Sequence, residues 1–345
     1  MSSVRSPRAL PKAERLLRIL FGASIAAVGI FCGAFVYYAT SEVVPASSPV
    51  QLSLKPGSSL RSAAQQLERA GVLRQPELFI VMARLLGEAG NVKAGSYEID
   101  GPITPFRLLR KVTLGEVTQA TVTLVEGWTF RQMRKALDGH AAVRHDTQEL
   151  RDAEILKQLA IDTGSPEGLF FPDTYHFGVG SSDLAVLRRA YRLMQSHLET
   201  QWAGRASGLP LSSPYEALIL ASIVEKETGR EEDRPLVAAV FVNRLRKGML
   251  LQADPTVIYG LGEAFDGNLR KRDLTTDTPY NTYTRTGLPP TPIAMPGFAS
   301  LSATLNPPMS DVLYFVAKGD GSSQFSRTLG EHERAVTKYQ RSGRR

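Results

Sequence analysis

The sequence predicts an α+β protein with one N-terminal transmembrane helix, a small module of two strands and two helices, and a larger domain of mixed α/β structure. Three features lead to this prediction. An uncharged apolar stretch lies near the N-terminus, a strand, helix, helix, strand pattern follows it, and the rest of the chain mixes helical patterns with short strands. A chain of 345 residues, 43% of them hydrophobic, is long enough to form more than one buried core.

The apolar stretch at residues 19–39 is long enough to cross a membrane. About twenty helical residues, at a rise of about 1.5 Å each, span a hydrocarbon core of about 30 Å. A cleaved signal peptide has a shorter apolar region, and a helix in a soluble core has a polar face, so a retained anchor is favoured. Residues 1–18 contain five basic residues against one acidic residue, and the next basic residue after the span is Lys55. The positive-inside rule therefore predicts a cytoplasmic tail at residues 1–18 and places everything after residue 40 outside.

A tether rich in Pro, Ser and Val is expected at residues 40–49, and a small module at residues 50–115. The elements expected in the module are a strand at 50–54, a helix capped by Ser58 or Ser59 that runs to about 70, a helix at 76–86, a strand at 94–99, and a helix that Thr104 caps and that stops before Gly115. The order strand, helix, helix, strand resembles that of LysM-like modules, which bind N-acetylglucosamine chains. Whether this module binds sugar is left open.

The larger domain is expected at residues 116–345. Its expected elements are a strand at 117–125, helices at 183–202, 214–228, 235–247 and 329–340, and a hairpin formed by 312–317 and 323–326. Between them, Gly and Pro interrupt clusters of aromatic residues, as at residues 167–175. Helices and short strands are both present, so the class is α+β.

The helix at 214–228 is the most informative element of this domain. Ser213 with Glu216 predicts a capping box, Pro214 suits the first helical position, and Gly229 is placed to end the helix. The residues between these signals are almost all apolar, which predicts a helix buried in the middle of its domain. Glu225 continues one apolar row in the last turn of this helix.

A carboxyl group at position 225 is expected to hold its proton. Burial disfavours the charged form, and the C-terminal end of a helix disfavours negative charge. A carboxylic acid that stays protonated near neutral pH can act as a general acid towards a poor leaving group. The alternative is a buried structural ion pair between Glu225 and Lys226 or an arginine elsewhere in the chain.

Eight stretches after the span together resemble the endolytic murein transglycosylases of the MltG type. They are Leu124-Val-Glu-Gly127, Phe171-Pro-Asp-Thr174, Ala221-Ser-Ile-Val-Glu-Lys-Glu-Thr228, Val242-Asn-Arg-Leu245, Leu251-Gln-Ala-Asp-Pro-Thr-Val-Ile-Tyr-Gly260, Tyr280-Asn-Thr-Tyr283, Gly287-Leu-Pro-Pro290 and Tyr314-Phe-Val-Ala317. The resemblance covers nearly the whole chain after the anchor. It implies that the glutamate of the Val-Glu-Lys-Glu-Thr stretch, here Glu225, is the catalytic residue.

The resemblance also implies a reaction that uses no water. The catalytic acid protonates the glycosidic oxygen between N-acetylmuramic acid (MurNAc) and N-acetylglucosamine (GlcNAc), and the same carboxylate then helps the 6-hydroxyl of MurNAc to close a 1,6-anhydro ring. Cleavage of nascent strands in this way would end their elongation. The catalytic domain would lie in the periplasm, anchored in the inner membrane, with peptidoglycan glycan strands as substrate and peptidoglycan synthases as possible partners.

Two other functions stay open from the residues alone: a non-enzymatic glycan-binding scaffold of the cell wall, and a muramidase-type hydrolase. A hydrolase needs a second carboxylate at roughly 5 Å as nucleophile, or at roughly 6.5 to 9.5 Å as base. Glu227 points about 200° around the helix from Glu225, because successive residues are about 100° apart. Asp254 is more simply explained as a helix cap that precedes Pro255 at the first helical position.

Seven residues are expected to contact the substrate. They are Glu227, Asn243, Gln252, Asp254, Tyr280, Asn281 and Tyr283. Three of them lie in an irregular segment at residues 277–296, and long irregular segments in compact domains are often functional. The alternatives are an ordered turn that packs on its own aromatic rings, and capping of backbone groups by Asn243 and Gln252.

The composition excludes several other classes of function. The net charge of +7 is concentrated before the span, so no basic stripe for nucleic acid is expected. The single cysteine, Cys32, lies inside the span, so the remaining chain cannot form a disulfide or a cysteine metal site. The five histidines show no metal-ligand spacing, and no Gly-rich phosphate loop is present. We therefore expect no metal and no cofactor.

Overall fold

A computed structural model describes residues 12–45, 49–55 and 57–341. The chain forms two compact units, one that extends to Gln119 and includes Gly178–Gly180, and one that comprises Ala120–Phe177 and the chain from Ser181 onward. Most of the expected cytoplasmic tail, residues 1–11, lies outside the described residues, as do residues 46–48 of the expected tether.

The first unit contains the N-terminal helix and the small module. Its elements are α1 (Lys12–Thr40), β1 (Val50–Leu54), α2 (Leu60–Arg69), α3 (Pro76–Leu85), β2 (Gly95–Ile99) and α4 (Pro105–Leu114). The expected order of two strands around two helices is confirmed. Leu20–Thr40 of α1 has a mean hydropathy of 2.0, and none of the residues in its most apolar window is buried. A helix of this length and composition is compatible with a membrane anchor.

The sequence signals of the module act as expected. Ser59 Oγ accepts a hydrogen bond from the backbone N–H of Ser62 at the start of α2, and Thr104 Oγ1 accepts one from Arg107 N at the start of α4. Gly115 ends α4 in the left-handed conformation. Strands β1 and β2 pair antiparallel with Leu52 opposite Tyr97, and both side chains are buried in the core of the module. The likeness to LysM modules stays a prediction.

The second unit is mainly helical, with strands only in pairs among the residues described. Its first elements are β3 (Gln119–Thr123), α5 (Phe130–Asp138), β4 (Val143–Arg144), α6 (Asp152–Leu159), β5 (Thr174–Gly178), β6 (Ser181–Ser182), α7 (Asp183–Ala203) and α8 (Pro214–Glu227). They are followed by α9 (Arg234–Arg246), α10 (Asp254–Leu261), α11 (Lys271–Thr275), α12 (Phe298–Leu305), β7 (Tyr314–Ala317), β8 (Ser323–Ser326) and α13 (Leu329–Val336). Strand β3 pairs with β5, β4 pairs with β6 in parallel, and β7 pairs with β8 antiparallel.

Most expected elements of this unit are confirmed within one or two residues, including the hairpin. Two are shorter than expected by four residues. The strand expected at 117–125 covers only Gln119–Thr123, and the last helix changes to a wider π-helical turn at Thr337–Arg341. The mixture of helices with two-stranded pairs confirms the α+β class in its coarse form.

Helix α8 is the central helix of the second unit. Residues 217–224 are all buried, and α7, α9, α10 and α12 pack around them. Ser213 caps the helix as expected, but the second half of the expected capping box is wrong. The carboxylate of Glu216 accepts hydrogen bonds from Ser212 N and Oγ instead. Gly229 does not end the helix either, because Thr228 is already extended. The last turn of α8, which carries Glu225, therefore extends beyond the buried core.

Candidate active site

The Glu225 carboxylate is bound at one oxygen and free at the other. Its Oε2 accepts hydrogen bonds from the backbone N–H of Gly297 (3.0 Å) and from Ser300 Oγ (2.7 Å). Gly297 is the N-cap of α12 and Ser300 lies in its first turn, so the carboxylate meets the donor-rich N-terminus of that helix. Oε1 makes no hydrogen bond to any described residue. A carboxyl group held in this way has a fixed position and one oxygen available for proton transfer.

Two expectations for Glu225 change with the structure. The side chain is half-buried rather than fully buried, because it lies in the last turn, beyond the buried stretch that ends at Val224. The alternative of a structural ion pair is not found in the part of the chain that the structure describes. Lys226 instead donates to the carbonyl of Gly127 at 3.2 Å.

A second carboxylate, which the sequence analysis did not single out, lies beside Glu225. Glu126 belongs to a loop that is tied to the segment before α12: Gly127 N donates to Met295 O (2.9 Å), and Met295 N donates to Trp128 O (2.8 Å). A Cβ atom on Gly297 would collide with Glu126 Oε1, so the carboxylate occupies the space that a side chain would fill there. Partial burial and the charge of Glu225 raise the pKa of Glu126. The sequence did contain a signal for this residue, because Glu126 lies in Leu124-Val-Glu-Gly127, one of the eight stretches that carry the resemblance.

A cleft of about 1000 Å³ reaches the last turn of α8 at Lys226. Glu167 lines this cleft and is almost fully buried, with Oε1 accepting from Phe130 N (2.9 Å) and Oε2 from the hydroxyl of Tyr259 (3.2 Å). Tyr280, also in the lining, packs edge to face on Tyr259 with the ring centres 4.9 Å apart. Aromatic rings with hydroxyl and carboxyl groups between them suit the faces and hydroxyls of a sugar.

Three of the expected substrate contacts form an acidic cluster at the same end of α8. Tyr283 donates its hydroxyl to Asp254 Oδ1, and the charge of Asp254 acts on Glu227. Burial is the main cause that raises the pKa of Glu227 to about 7, the charge of Asp254 adds to it, and Arg244 opposes it. Glu227 Oε2 is buried and has no partner among the described residues. A buried carboxyl oxygen without a partner is available to a ligand.

The structural explanation of Asp254 as a helix cap is wrong. Ala253 is the N-cap of α10, and Asp254 is its first helical residue, followed by Pro255. The start of α10 is instead bound by Thr282 of the irregular segment, whose Oγ1 accepts a hydrogen bond from the backbone N–H of Ala253. The carboxylate of Asp254 is exposed and points to Tyr283, not to the backbone of its own helix.

Asn243 and Asn281 are hydrogen-bonded to backbone groups. Asn243 Nδ2 donates to Ser310 O (2.8 Å) and Val312 O (3.0 Å), which matches the capping alternative. Asn281 is fully buried, its amide donates to three carbonyls, those of Asp273, Leu274 and Thr276, and its Oδ1 accepts from Tyr283 N. These amides leave no free donor for a ligand, so both residues hold their surroundings in place.

Gln252 lies in a strained backbone position. Its φ of +53° is in the left-handed region, which residues other than glycine rarely adopt. The backbone N–H of Gln252 donates to Thr282 O (3.0 Å), which fixes this conformation against the irregular segment. The side chain is exposed, and its Oε1 accepts a long hydrogen bond from Arg244 (3.4 Å).

One group of possible metal ligands lies elsewhere in the second unit. Single ligand atoms of Asp138, His145 and Asp183 lie within 4.8 Å of one another. Asp183 is fully buried, and both its oxygens already accept hydrogen bonds, from Thr147 and Leu184. These hydrogen bonds tie the carboxylate to Thr147 and to the start of α7.

Glu167 is expected to make stability depend on pH. Burial raises its pKa from 4.5 to about 7 in the folded protein, whereas the unfolded chain ionises freely. The folded state thus binds the proton more tightly, so the contribution of Glu167 to stability is complete below pH 4.5 and is lost as the pH rises to about 7. We expect Glu167→Gln to reduce this fall in unfolding free energy, measured by urea unfolding across that range. The exposed Glu149→Gln is the control, and equal slopes in both variants would contradict the assignment.

Comparison with known proteins identifies a family and several proteins that this chain resembles. The model of the YceG-like family matches residues 52–338. The endolytic murein transglycosylase of Bacillus subtilis is 32% identical over 332 residues, which cover 90% of this chain and 91% of that protein. The enzyme of the same name from Streptococcus pneumoniae is 27% identical over 84% of this chain and 58% of that protein. A crystal structure of a YceG-like protein from Listeria monocytogenes is 30% identical, with a TM-score of 0.51 over 84% of this chain and 99% of that one.

Proposed function

This chain belongs to the YceG-like family, and from that premise we propose that it cleaves nascent peptidoglycan strands between MurNAc and GlcNAc. It is a lyase of the lytic transglycosylase type, as its relatives are named. Cleavage within the strand would leave a 1,6-anhydro-MurNAc end. A strand that ends in this way cannot be elongated, so the enzyme would set strand length.

The observation that carries this proposal is the hydrogen bonding of the Glu225 carboxyl group. Gly297 and Ser300 hold Oε2, and Oε1 is free. In the protonated form, Oε1 gives its proton to the glycosidic oxygen, and the bond from that oxygen to C1 of MurNAc breaks. The C6 hydroxyl then bonds to C1 and releases its proton to a carboxylate, for which Glu225 is the first candidate. No water is consumed.

The substrate contacts are proposed on two sides of the last turn of α8. Tyr280 lies in the cleft lining, where its ring and hydroxyl can meet a sugar. Glu227, Asp254 and Tyr283 form the acidic cluster, and the exposed side chain of Gln252 lies two positions before Asp254 in the sequence. Asn243 and Asn281 would affect substrate binding indirectly, because they hold in place the backbone segments to which they are hydrogen-bonded.

The test of this proposal is the mass of the products. Uncrosslinked glycan strands are digested with the full chain in detergent, and the new ends are weighed. Anhydro ends are expected. Products heavier by one water would indicate a muramidase-type hydrolase, and bound but uncut glycan would indicate a scaffold.

We propose a single-pass location in the inner membrane, with a cytoplasmic N-terminus and a periplasmic catalytic domain. The uncharged helix Leu20–Thr40 and the basic residues before it support this topology. There the enzyme would meet nascent strands and the synthases that make them. Protease added to spheroplasts is expected to leave a small membrane-bound stub. A chain that resists the protease until the cells are lysed would place the domain in the cytoplasm.

A further inference from the structure

We propose that Glu126 is the second carboxylate of the active site and accepts the proton of the C6 hydroxyl while Glu225 protonates the leaving oxygen. This inference rests on the proposed function. It divides the acid and base roles between two residues, whereas the resemblance gives both to Glu225.

The first support is geometric, because both carboxylates contact Gly297. Glu225 Oε2 accepts the N–H of Gly297 at 3.0 Å, and Glu126 Oε1 lies where a Cβ atom of the same residue would stand. Both carboxyl groups therefore lie beside one residue, as the paired carboxyl groups of glycosidases lie beside one bond. A reacting sugar can meet both at once.

The second support is that the loop of Glu126 is fixed on the end of α8. Gly127 has a φ of +74°, which favours glycine, and its N–H donates to Met295 O at 2.9 Å. Lys226 Nζ donates to the carbonyl of the same glycine at 3.2 Å. The adjacent Glu126 is therefore positioned by two hydrogen bonds to the backbone of Gly127, as a group that acts in catalysis must be.

The third support is the charge around Glu126. Partial burial and the charges of Glu225 and Glu231 raise its pKa, and Arg234 lowers it. Two neighbouring carboxyl groups do not easily carry two negative charges, so one holds a proton while the other is ionised. A raised pKa makes the ionised form of Glu126 a stronger base, as uptake of the hydroxyl proton requires.

The reaction then balances without any further reactant. The proton on Glu225 Oε1 moves to the glycosidic oxygen, and the bond between that oxygen and C1 breaks. The C6 oxygen forms the new bond to C1, and its proton moves to Glu126. Glu225 ends ionised and Glu126 protonated, and exchange of one proton with solvent restores the starting state.

The test compares Glu126→Gln with two other variants of the full chain in detergent. Glu126→Gln removes the base, and we expect a loss of roughly 10² to 10⁴-fold in kcat for anhydro product. Gly297→Ala keeps a backbone that alanine adopts easily, at φ −79°, but its methyl group takes the place of Glu126 Oε1. It should therefore lower kcat in the same direction, with the N–H donor to Glu225 retained. Glu231→Gln is the control, because it removes a neighbouring charge without any contact to Gly297.

The pH profile of kcat separates a base from a merely structural residue. In the unmodified enzyme, activity rises with pH on the acidic side as the base ionises, and we expect this rise to disappear in Glu126→Gln. Full activity and an unchanged acidic limb in Glu126→Gln would overturn the inference, whether or not Gly297→Ala is stable. If the unmodified enzyme releases no anhydro product, the proposed function itself is wrong.

Discussion

Glu225→Gln is expected to abolish strand cleavage and leave the fold intact. The amide oxygen of glutamine can accept the same hydrogen bonds from Gly297 and Ser300, so the side chain keeps its place at the start of α12. It cannot donate an acidic proton to the glycosidic oxygen. We expect kcat to fall by roughly 10⁴-fold or more, the upper range for one acid–base group. Replacing a half-buried ionisable group by a neutral amide should change stability little.

The control for this variant is Glu199→Gln, the same change at an exposed position on α7. Thermal unfolding and release of anhydro product are measured on one preparation of each protein. A folded Glu225→Gln variant with normal activity would remove Glu225 from the mechanism. An unfolded one would return it to a structural role.

Asn281→Ala is expected to have the largest effect on stability. The variant leaves three partly buried carbonyls and the N–H of Tyr283 without the fully buried amide that now binds them. Water reaches part of these groups, so the low end of the range for an unsatisfied group, roughly 1 kcal/mol each, gives an expected loss of about 3 kcal/mol. Such a loss lowers the melting temperature by roughly 6 to 12 °C in a domain of this size. Activity should fall with it, because the same segment carries Tyr280 and Tyr283.

Asn268→Ala makes the same chemical change at an exposed position. Calorimetry of both variants separates the buried network from the general effect of losing an amide. Equal melting temperatures would mean that the segment at residues 277–296 does not depend on Asn281.

The helices were predictable because their signals are local. Ser59, Thr104 and Ser213 each cap the helix that the sequence predicts, and the cap depends only on residues within one turn. The errors arise where a side chain had a choice of partners. The carboxylate of Glu216 accepts hydrogen bonds from Ser212 rather than from Ser213, and Asp254 binds Tyr283 from another segment.

The position of Glu225 was predictable, but its surroundings were not. The resemblance pointed to this residue, whereas its partners Gly297 and Ser300 lie more than seventy positions away. Glu126 and Glu167 were missed for the same reason. Each is a carboxylate in a loop, and only tertiary packing brings it to the end of α8 or to the cleft.

Cleavage without water is tested most directly by digestion in water labelled with the heavy oxygen isotope. The full chain in detergent digests uncrosslinked strands, and the new MurNAc ends are analysed by mass spectrometry. The proposed mechanism predicts anhydro ends that contain no label, because the oxygen bonded to C1 comes from C6 of the same sugar. Labelled ends, heavier by one water molecule, would contradict it.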